Sequence, residues 1–208
     1  MQNHILKYII RGEDETLDFK QEISNASKIA KTMSAFANTK GGTLIVGIRD
    51  NKTIAGIRSE DEKYMLDLAS KFYCKPQLDI EIEEWEAEGK VILECKVPES
   101  NKKPVLAKGD DNKWMAYIRV KDKTLLASKI VVDVLKRNSN KRGTLIKYSD
   151  EERYLLNYLN NNPKITLNQY RKMHKLSKYK ASKIIVNLLS TGILKSHFTE
   201  DSEYFSLN

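Results

Sequence analysis

The stretch Met33–Asp50, MSAFANTKGGTLIVGIRD, constrains the fold more than any other part of the chain. Its first half continues a helix in which Ile29 and Phe36 lie on one apolar stripe. The glycine pair that begins at Gly41 allows this helix to stop and the chain to reverse. The next residues, Thr43–Ile48, are a β-branched apolar run of strand length. The stretch therefore predicts a helix packed on a sheet, with polar residues displayed where the strand ends.

The elements around this stretch predict an α+β domain with a mixed sheet and packed helices. Ser24 is the predicted N-cap of the central helix, and Ser59 begins a capping-box pattern for another helix. Alternating apolar and polar residues, together with turn residues between them, predict strands at 53–57, 78–85, 91–97, 105–107 and 114–120. A closing helix at 128–137 completes the domain, which we predict to span residues 1–137.

The remaining residues differ in character. Residues 138–147 are polar and basic and predict a linker. Capping boxes begin two helices at Ser149 and Thr166, and Ser177 begins a third, which Gly192 ends. Strands at 193–199 and 204–207 can pair about a turn at 200–202. Three helices followed by a hairpin predict a small winged helix-turn-helix domain over residues 148–208.

The distribution of charge favours a polyanionic partner. The formal net charge is +8, and no acidic residue lies between positions 171 and 199. A local basic face of this kind is typical of nucleic-acid binding. Its basic residues are Arg171, Lys172, Lys175, Lys178, Lys180, Lys183 and Lys195.

The third helix of the second domain is the predicted DNA-contacting element. Its apolar residues at 181, 184, 185 and 188 form the inner face, which turns Lys180, Lys183 and Asn187 outward. Lys178 and Tyr179 lie in its first turn, where recognition helices place base-contacting residues. Lysines attract phosphate but discriminate poorly between bases. A protein-interaction or dimerisation module is the alternative for this domain.

Several classes of function and location are not expected. No apolar run is long enough to cross a bilayer and no secretory signal is visible, so we expect a cytoplasmic protein. Cys74 and Cys95 lie far apart and are expected to be reduced thiols. Three scattered histidines do not predict a zinc site, and residues 39–42 lack the frame of a Walker motif.

The first domain resembles a known family. The run AFANTKGGTLIVGIRD, with Glu13 and Asp18-Phe19-Lys20 before it and the strand 116–120 after it, is similar to the Schlafen AlbA-like domain. In prokaryotes this domain is described as a DNA-binding or transcriptional-regulator module. The resemblance implies an arginine-bearing strand, here with Arg119, followed by a Gly-Ser-type turn that this chain replaces with Lys121-Asp122-Lys123. A second basic surface is predicted from Arg119, Lys121 and Lys123 together with Lys20, Lys40 and Arg49.

The same resemblance raises a nuclease as an alternative. Animal Schlafen proteins carry three carboxylates described as a metal-dependent RNase centre, and Glu13, Asp18 and Asp50 occupy the matching positions. Clustered carboxylates can bind Mg²⁺ or Mn²⁺ and activate water. Convergence requires an irregular turn near residues 12–15, because five residues of regular strand would place Glu13 and Asp18 on opposite faces. Neither acid requires a catalytic role to explain it. Asp50 is a common residue in a turn at the end of a strand, and Glu13 belongs to a run of charged residues that water can solvate.

Taken together, these patterns favour a DNA-binding protein that acts as a transcriptional regulator. We expect DNA to be preferred over RNA, a homodimer, no membrane association, and no cofactor unless the chain is a nuclease. A metal-dependent nuclease and a protein-interaction module in a defence or signalling system remain the alternatives.

Overall fold

The structure is a computed structural model that describes residues 2–140, 148–199 and 202–208. The chain forms two compact units, Met1–Ala127 (unit 1) and Ser128–Asn208 (unit 2). The helix predicted to close the first domain lies in unit 2, because Ile130 and Val134 pack into the core of that unit. The boundary predicted after residue 137 thus shifts to residue 127. Of the predicted linker, residues 138–139 complete this helix, and residues 141–147 lie outside the described residues.

Among its described residues, unit 1 contains three helices and eight strands. They are α1 (Gln2–Arg11), β1 (Leu17–Lys20), α2 (Ala26–Asn38), β2 (Gly42–Val46), α3 (Asp61–Phe72), β3 (Cys74–Lys75), β4 (Glu81–Ala87), β5 (Lys90–Val97), β6 (Leu106–Lys108), β7 (Trp114–Val120) and β8 (Lys123–Leu126).

The strands form two four-stranded sheets. The first, in the order β1-β2-β5-β4, is mixed because β1 runs parallel to β2 while the other pairs are antiparallel. The second, in the order β3-β6-β7-β8, is antiparallel. The predicted α+β class with a mixed sheet and packed helices is confirmed. The strand predicted at 53–57 is reduced to one bridge between Ile48 and Ile54.

Helix α2 connects the two sheets of unit 1. Its apolar face packs in one core with Leu44 of β2 and Leu93 of β5. The buried polar residue Asn38, at the end of α2, forms hydrogen bonds on the side of the second sheet. The side-chain nitrogen of Asn38 donates to the backbone carbonyls of Val105 (2.8 Å) and Tyr117 (2.9 Å). Its side-chain oxygen accepts from the backbone amide of Val105 (2.7 Å). Because buried polar groups must be paired, Asn38 fixes the place of α2 between the sheets.

The glycine pair ends α2 as predicted. Gly41 has a φ of +71°, and its amide donates to the carbonyl of Phe36 (2.9 Å). A Cβ atom at Gly42 would lie 2.3 Å from the Phe36 ring. Both positions therefore require glycine, the first for its backbone angle and the second for space.

The starts of α2 and α3 differ from the prediction. Asn25, not Ser24, caps α2, because its side-chain oxygen accepts from the amides of Ser27 and Lys28. The capping box expected at Ser59 does not form. Glu62, which would complete that box, instead accepts from the backbone amides of Ile23 (3.1 Å) and Arg58 (2.8 Å).

Helix α1 covers the other face of the mixed sheet. Ile5 packs there with Leu17, Ile45 and Ile92 in a separate apolar cluster. Beside them, Glu94 of β5 is buried: His4 Nε2 lies 2.7 Å from Glu94 Oε2, and the Tyr8 hydroxyl donates to Oε1 (2.8 Å). These two contacts attach α1 to the sheet.

Unit 2 contains α4 (Lys129–Ser139), α5 (Asp150–Asn161), α6 (Leu167–Met173), α7 (Lys178–Ser190), β9 (Leu194–Phe198) and β10 (Glu203–Leu207). Both predicted capping boxes form, at Ser149 and at Thr166. Strands β9 and β10 pair antiparallel, and Ile165 forms one further bridge to Phe205. The predicted turn between the strands falls partly on residues 200–201, which lie outside the described residues. In the described parts of the chain, no helix is long and apolar enough to span a bilayer.

Candidate nucleic-acid interface

Helix α7 is held in unit 2 by its inner face. Ala181, Ile184, Ile185 and Leu188 are all buried in the unit's core. The helix begins at Ser177, whose hydroxyl accepts from the amide of Lys180 (3.1 Å). A firmly packed inner face fixes which side chains α7 presents on its other side.

Four residues in the first two turns of α7 are exposed and are either basic or aromatic: Lys178, Tyr179, Lys180 and Lys183. Lys178 and Lys183 are exposed, and 78% of Tyr179 is accessible to solvent. An exposed tyrosine between lysines offers both attraction for phosphate and a surface for packing against sugar or base.

Two of the predicted contact residues of α7 already have partners. Lys180 is exposed and forms an ion pair with Glu151 of α5. Hydrogen bonds from Lys180 and from the Ser149 hydroxyl lower the pKa of Glu151 to about 2. Asn187 accepts a hydrogen bond from Arg137 of α4. The prediction placed Lys180, Lys183 and Asn187 together on the outward face of α7. In the structure, the exposed side chains of α7 without a described ion pair are Lys178, Tyr179 and Lys183, in its N-terminal half.

The other basic residues of the acid-free stretch surround α6 and the hairpin. Lys172 in the last turn of α6 and Lys175 just after it are exposed, as is Lys195 of β9. Arg171 is half-buried, with Nη1 3.4 Å from the Asn168 side-chain oxygen. The solvent can therefore reach Lys172, Lys175 and Lys195. Arg171 is the least exposed of these four basic residues.

One basic residue beside α7 lies outside the predicted set. Lys129, at the start of α4, lines the same groove as Lys178 and Lys183. It was hidden from sequence reasoning because the helix that carries it was assigned to the other domain. The apolar residues of α4 predict a helix, but they do not indicate the core against which that helix packs.

Arg119 in unit 1 is not displayed on the surface, which corrects the prediction that it belongs to a second basic surface. Only 3% of Arg119 is exposed, and its guanidinium lies 5.0 Å from the centre of the Phe36 ring. Nη1 donates to Asp18 Oδ1 (3.2 Å) and to the Thr124 hydroxyl (3.1 Å), and Nη2 donates to the Asp14 carbonyl (2.8 Å). The role of Arg119 in this structure is to join β7 to the β1 region.

The remaining residues of the predicted second basic surface are partly neutralised. Lys121 and Lys123 are exposed at the tight turn between β7 and β8, where Lys121 has a φ of +56°. Lys20 Nζ lies 2.6 Å from Asp18 Oδ2, and Lys40 pairs with Glu15 at 2.7 Å. These carboxylates reduce the positive charge available to a nucleic acid.

The three carboxylates of the nuclease hypothesis do not form a metal site. Asp18 is buried against Arg119, Glu13 accepts from the Phe19 amide (2.8 Å), and Asp50 lies in an exposed turn. Burial raises the pKa of Glu13, and the charge of Asp18 raises it further. Within the described ranges, no group of three or more histidine, cysteine, aspartate or glutamate side chains could hold a metal ion. The residues present therefore do not fit a Mg²⁺ or Mn²⁺ centre, because such a cation needs several free carboxylate oxygens and Asp18 is committed to Arg119.

Among the solved structures that are similar to parts of this chain are one from Corynebacterium diphtheriae and one from Nitrosomonas europaea. The DIP2311 protein from Corynebacterium diphtheriae is 19% identical, with a TM-score of 0.46, over 62% of this chain and 28% of its own length. The N-terminal domain of a RecG-related protein from Nitrosomonas europaea is 22% identical, with a TM-score of 0.42, over 70% of this chain and 94% of that domain. This chain thus spans less than a third of the DIP2311 protein. No curated protein matches it.

A family model gives the assignment of unit 1. The model for "Schlafen, AlbA_2" matches residues 13–128, which is more than half of the chain and includes the α2–β2 stretch and the Arg119 strand. The chain belongs to the Schlafen AlbA_2 family.

Proposed function

We propose that the protein is a cytoplasmic DNA-binding protein, a transcriptional regulator that contacts DNA through α7. In this proposal α5, α6, α7 and the β9–β10 hairpin constitute a winged helix-turn-helix domain. The order of these elements supports it, as does the four-residue connection 174–177 between α6 and α7, which has the length of the turn in helix-turn-helix motifs. The family assignment of unit 1 is compatible with a role that involves nucleic acid.

The observation that carries the proposal is the exposed basic N-terminal half of α7. Lys178, Tyr179 and Lys183 are accessible while the opposite face of the helix is buried. They belong to a stretch of 29 residues, 171–199, that contains no acidic residue. The N-terminal half of a recognition helix is the part that reaches base edges in the major groove. Lysines there provide affinity for phosphate more than base discrimination, so a modest sequence preference follows.

A direct test compares binding of the full chain to fluorescently labelled duplex DNA with binding of two double variants. Lys178→Ala/Lys183→Ala removes two charges from α7. Lys7→Ala/Lys28→Ala removes the same charge from exposed positions of α1 and α2 and serves as the matched control. We expect the α7 variant to raise the Kd about tenfold or more, and the control to change it less than threefold. Equal losses would show that net charge alone drives binding and would contradict a site on α7.

Two finer features of the proposal need their own readouts. A hairpin RNA of matched length in the same assay tests the preference for DNA. We expect the Kd for the duplex DNA to be lower than the Kd for the RNA. We expect a homodimer because regulators of this kind bind operators with two repeated half-sites. Light scattering during size-exclusion chromatography tests it. A monomeric mass at every concentration with one protein per DNA would contradict the dimer and leave the α7 interface in place.

A further inference from the structure

A groove runs between the start of α4 and the first half of α7. Its cavity has a volume of about 480 Å³, and Val186 of α7 forms part of its apolar lining. The polar lining consists of three lysines, one serine and one aspartate from the two helices, with Tyr179 beside them. These polar residues are Lys129, Asp133, Lys178, Ser182 and Lys183.

The groove carries excess positive charge. Asp133 is its one acidic lining residue, against three lysines. Asp133 Oδ2 lies 3.1 Å from the ammonium of Lys129, one turn earlier on α4. The Lys129 side chain is 84% exposed, so this pair is a weak surface contact that an incoming anion can replace.

A second cavity of about 420 Å³ extends the same groove. It shares Lys129, Lys178 and Ser182 with the first, and continues past Ser128 and Thr166. Its acidic lining residue is Glu203, whose carboxylate already accepts from the Ser196 hydroxyl (2.8 Å). Polar side chains therefore line the groove beyond the length of a single phosphate, which suits an extended polyanion better than a small anion.

We propose that this α4–α7 groove holds the sugar–phosphate backbone of the bound DNA, with Lys129 as a phosphate contact beside Lys178 and Lys183. The inference rests on the proposed function and specifies its geometry: α4, which precedes the three-helix motif, supplies part of the interface. Lys129 and Lys178 meet where the two cavities join, and the Ser182 hydroxyl is a donor at the same place. Tyr179 lies at the rim, where its ring packs against sugar or base. Asp133 opposes binding, because it is a carboxylate inside a phosphate site.

The test uses two single variants with effects of opposite sign. Lys129→Ala is expected to raise the Kd for duplex DNA about fivefold and to reduce the slope of log K against log salt by about 0.9. Asp133→Asn is expected to lower the Kd about threefold, because it removes the repulsion and releases Lys129. Lys7→Ala, an equal change of charge on α1, is the control and is expected to leave the Kd within twofold.

The outcomes separate this inference from the function on which it rests. If Lys178→Ala/Lys183→Ala weakens binding while Lys129→Ala changes neither the Kd nor the salt slope, the groove is wrong and the α7 interface stands. If Asp133→Asn weakens binding, the groove is likewise overturned. If the unmodified chain does not bind duplex DNA at low salt, the proposed function fails and the groove fails with it. Circular dichroism melting curves of each variant establish that the compared proteins are folded.

Discussion

The guanidinium of Arg119 lies 3.2 Å from the carboxylate of Asp18, although 101 residues separate them in the chain. Both groups are buried, and Arg119 also donates to Thr124 and to the backbone of Asp14. Residues that the sequence suggests for two different functions, nucleic-acid contact and metal binding, thus satisfy each other inside unit 1. The pair explains why neither residue is available to an external ligand.

Loss of one partner of this pair should destabilise unit 1 strongly. Arg119→Met leaves the buried Asp18 with Lys20 as its remaining cationic partner, and we expect the free energy of unfolding to fall by about 3 kcal/mol. The double variant Arg119→Met/Asp18→Leu removes both charges and should recover most of that loss. Urea unfolding followed by circular dichroism measures both values. A double variant no more stable than the single one would show that the charge of Asp18 is not the cause.

The glycine that ends α2 should tolerate substitution less well than a glycine of similar backbone angle elsewhere. Gly41 and Gly89 have φ values of +71° and +67°. A Cβ atom at Gly41 would lie 2.8 Å from the backbone of Glu99, whereas at Gly89 nothing lies within 4 Å. We expect Gly89→Ala to cost about 1 kcal/mol for the backbone angle, and Gly41→Ala about 3 kcal/mol because steric overlap adds to it. Equal costs in urea unfolding would contradict the steric explanation.

The two cysteines should not react in the folded protein. Burial raises the pKa of both Cys74 and Cys95 to about 12. At pH 8 their thiolate fraction is then about a thousandfold below that of an ordinary thiol. Ellman's reagent at pH 8 should therefore titrate no thiol in the native protein and two in denaturant. Rapid reaction of either cysteine without denaturant would place that thiol at the surface.

The attachment of α1 should weaken in acid. Burial acts to raise the pKa of Glu94, but hydrogen bonds from Tyr8 and His4 outweigh it, so the pKa lies below its usual value. A folded-state pKa below the unfolded one means that Glu94 stabilises the fold above about pH 4.5 and loses that contribution as the pH falls further. Glu94→Gln should flatten the fall in unfolding free energy between pH 5 and pH 3. Glu86→Gln, an exposed change on β4, should leave that fall unaltered, and an equal flattening in both variants would contradict the assignment.

Local features of the sequence account for most of the secondary structure. The end of α2 and the start of β2 follow from the glycine pair and the apolar run after it, because both depend on residues close in the chain. The capping boxes at Ser149 and Thr166 form for the same reason. The box at Ser59 fails because Glu62 has better partners in two backbone amides, one of them 39 residues away.

The features that sequence reasoning missed depend on contacts between distant residues. Strand alternation sends Arg119 outward, but the structure pairs its buried charge with Asp18 of β1, a strand of the other sheet. The pattern of α4 predicts a helix but not the core that Ile130 enters. For that reason Lys129 could not be grouped with Lys178 and Lys183 before the fold was known.

The central claim, that the basic N-terminal half of α7 binds DNA, is tested most directly by the salt dependence of binding. The affinity of the full chain for a labelled duplex is measured from low to moderate salt, for the unmodified protein and for Lys178→Ala/Lys183→Ala. Each phosphate contact contributes about 0.9 to the magnitude of the slope of log K against log salt, so the variant's slope should be smaller by about 1.8. Identical slopes for the two proteins would contradict a phosphate contact by either lysine and would remove α7 as the DNA-binding element.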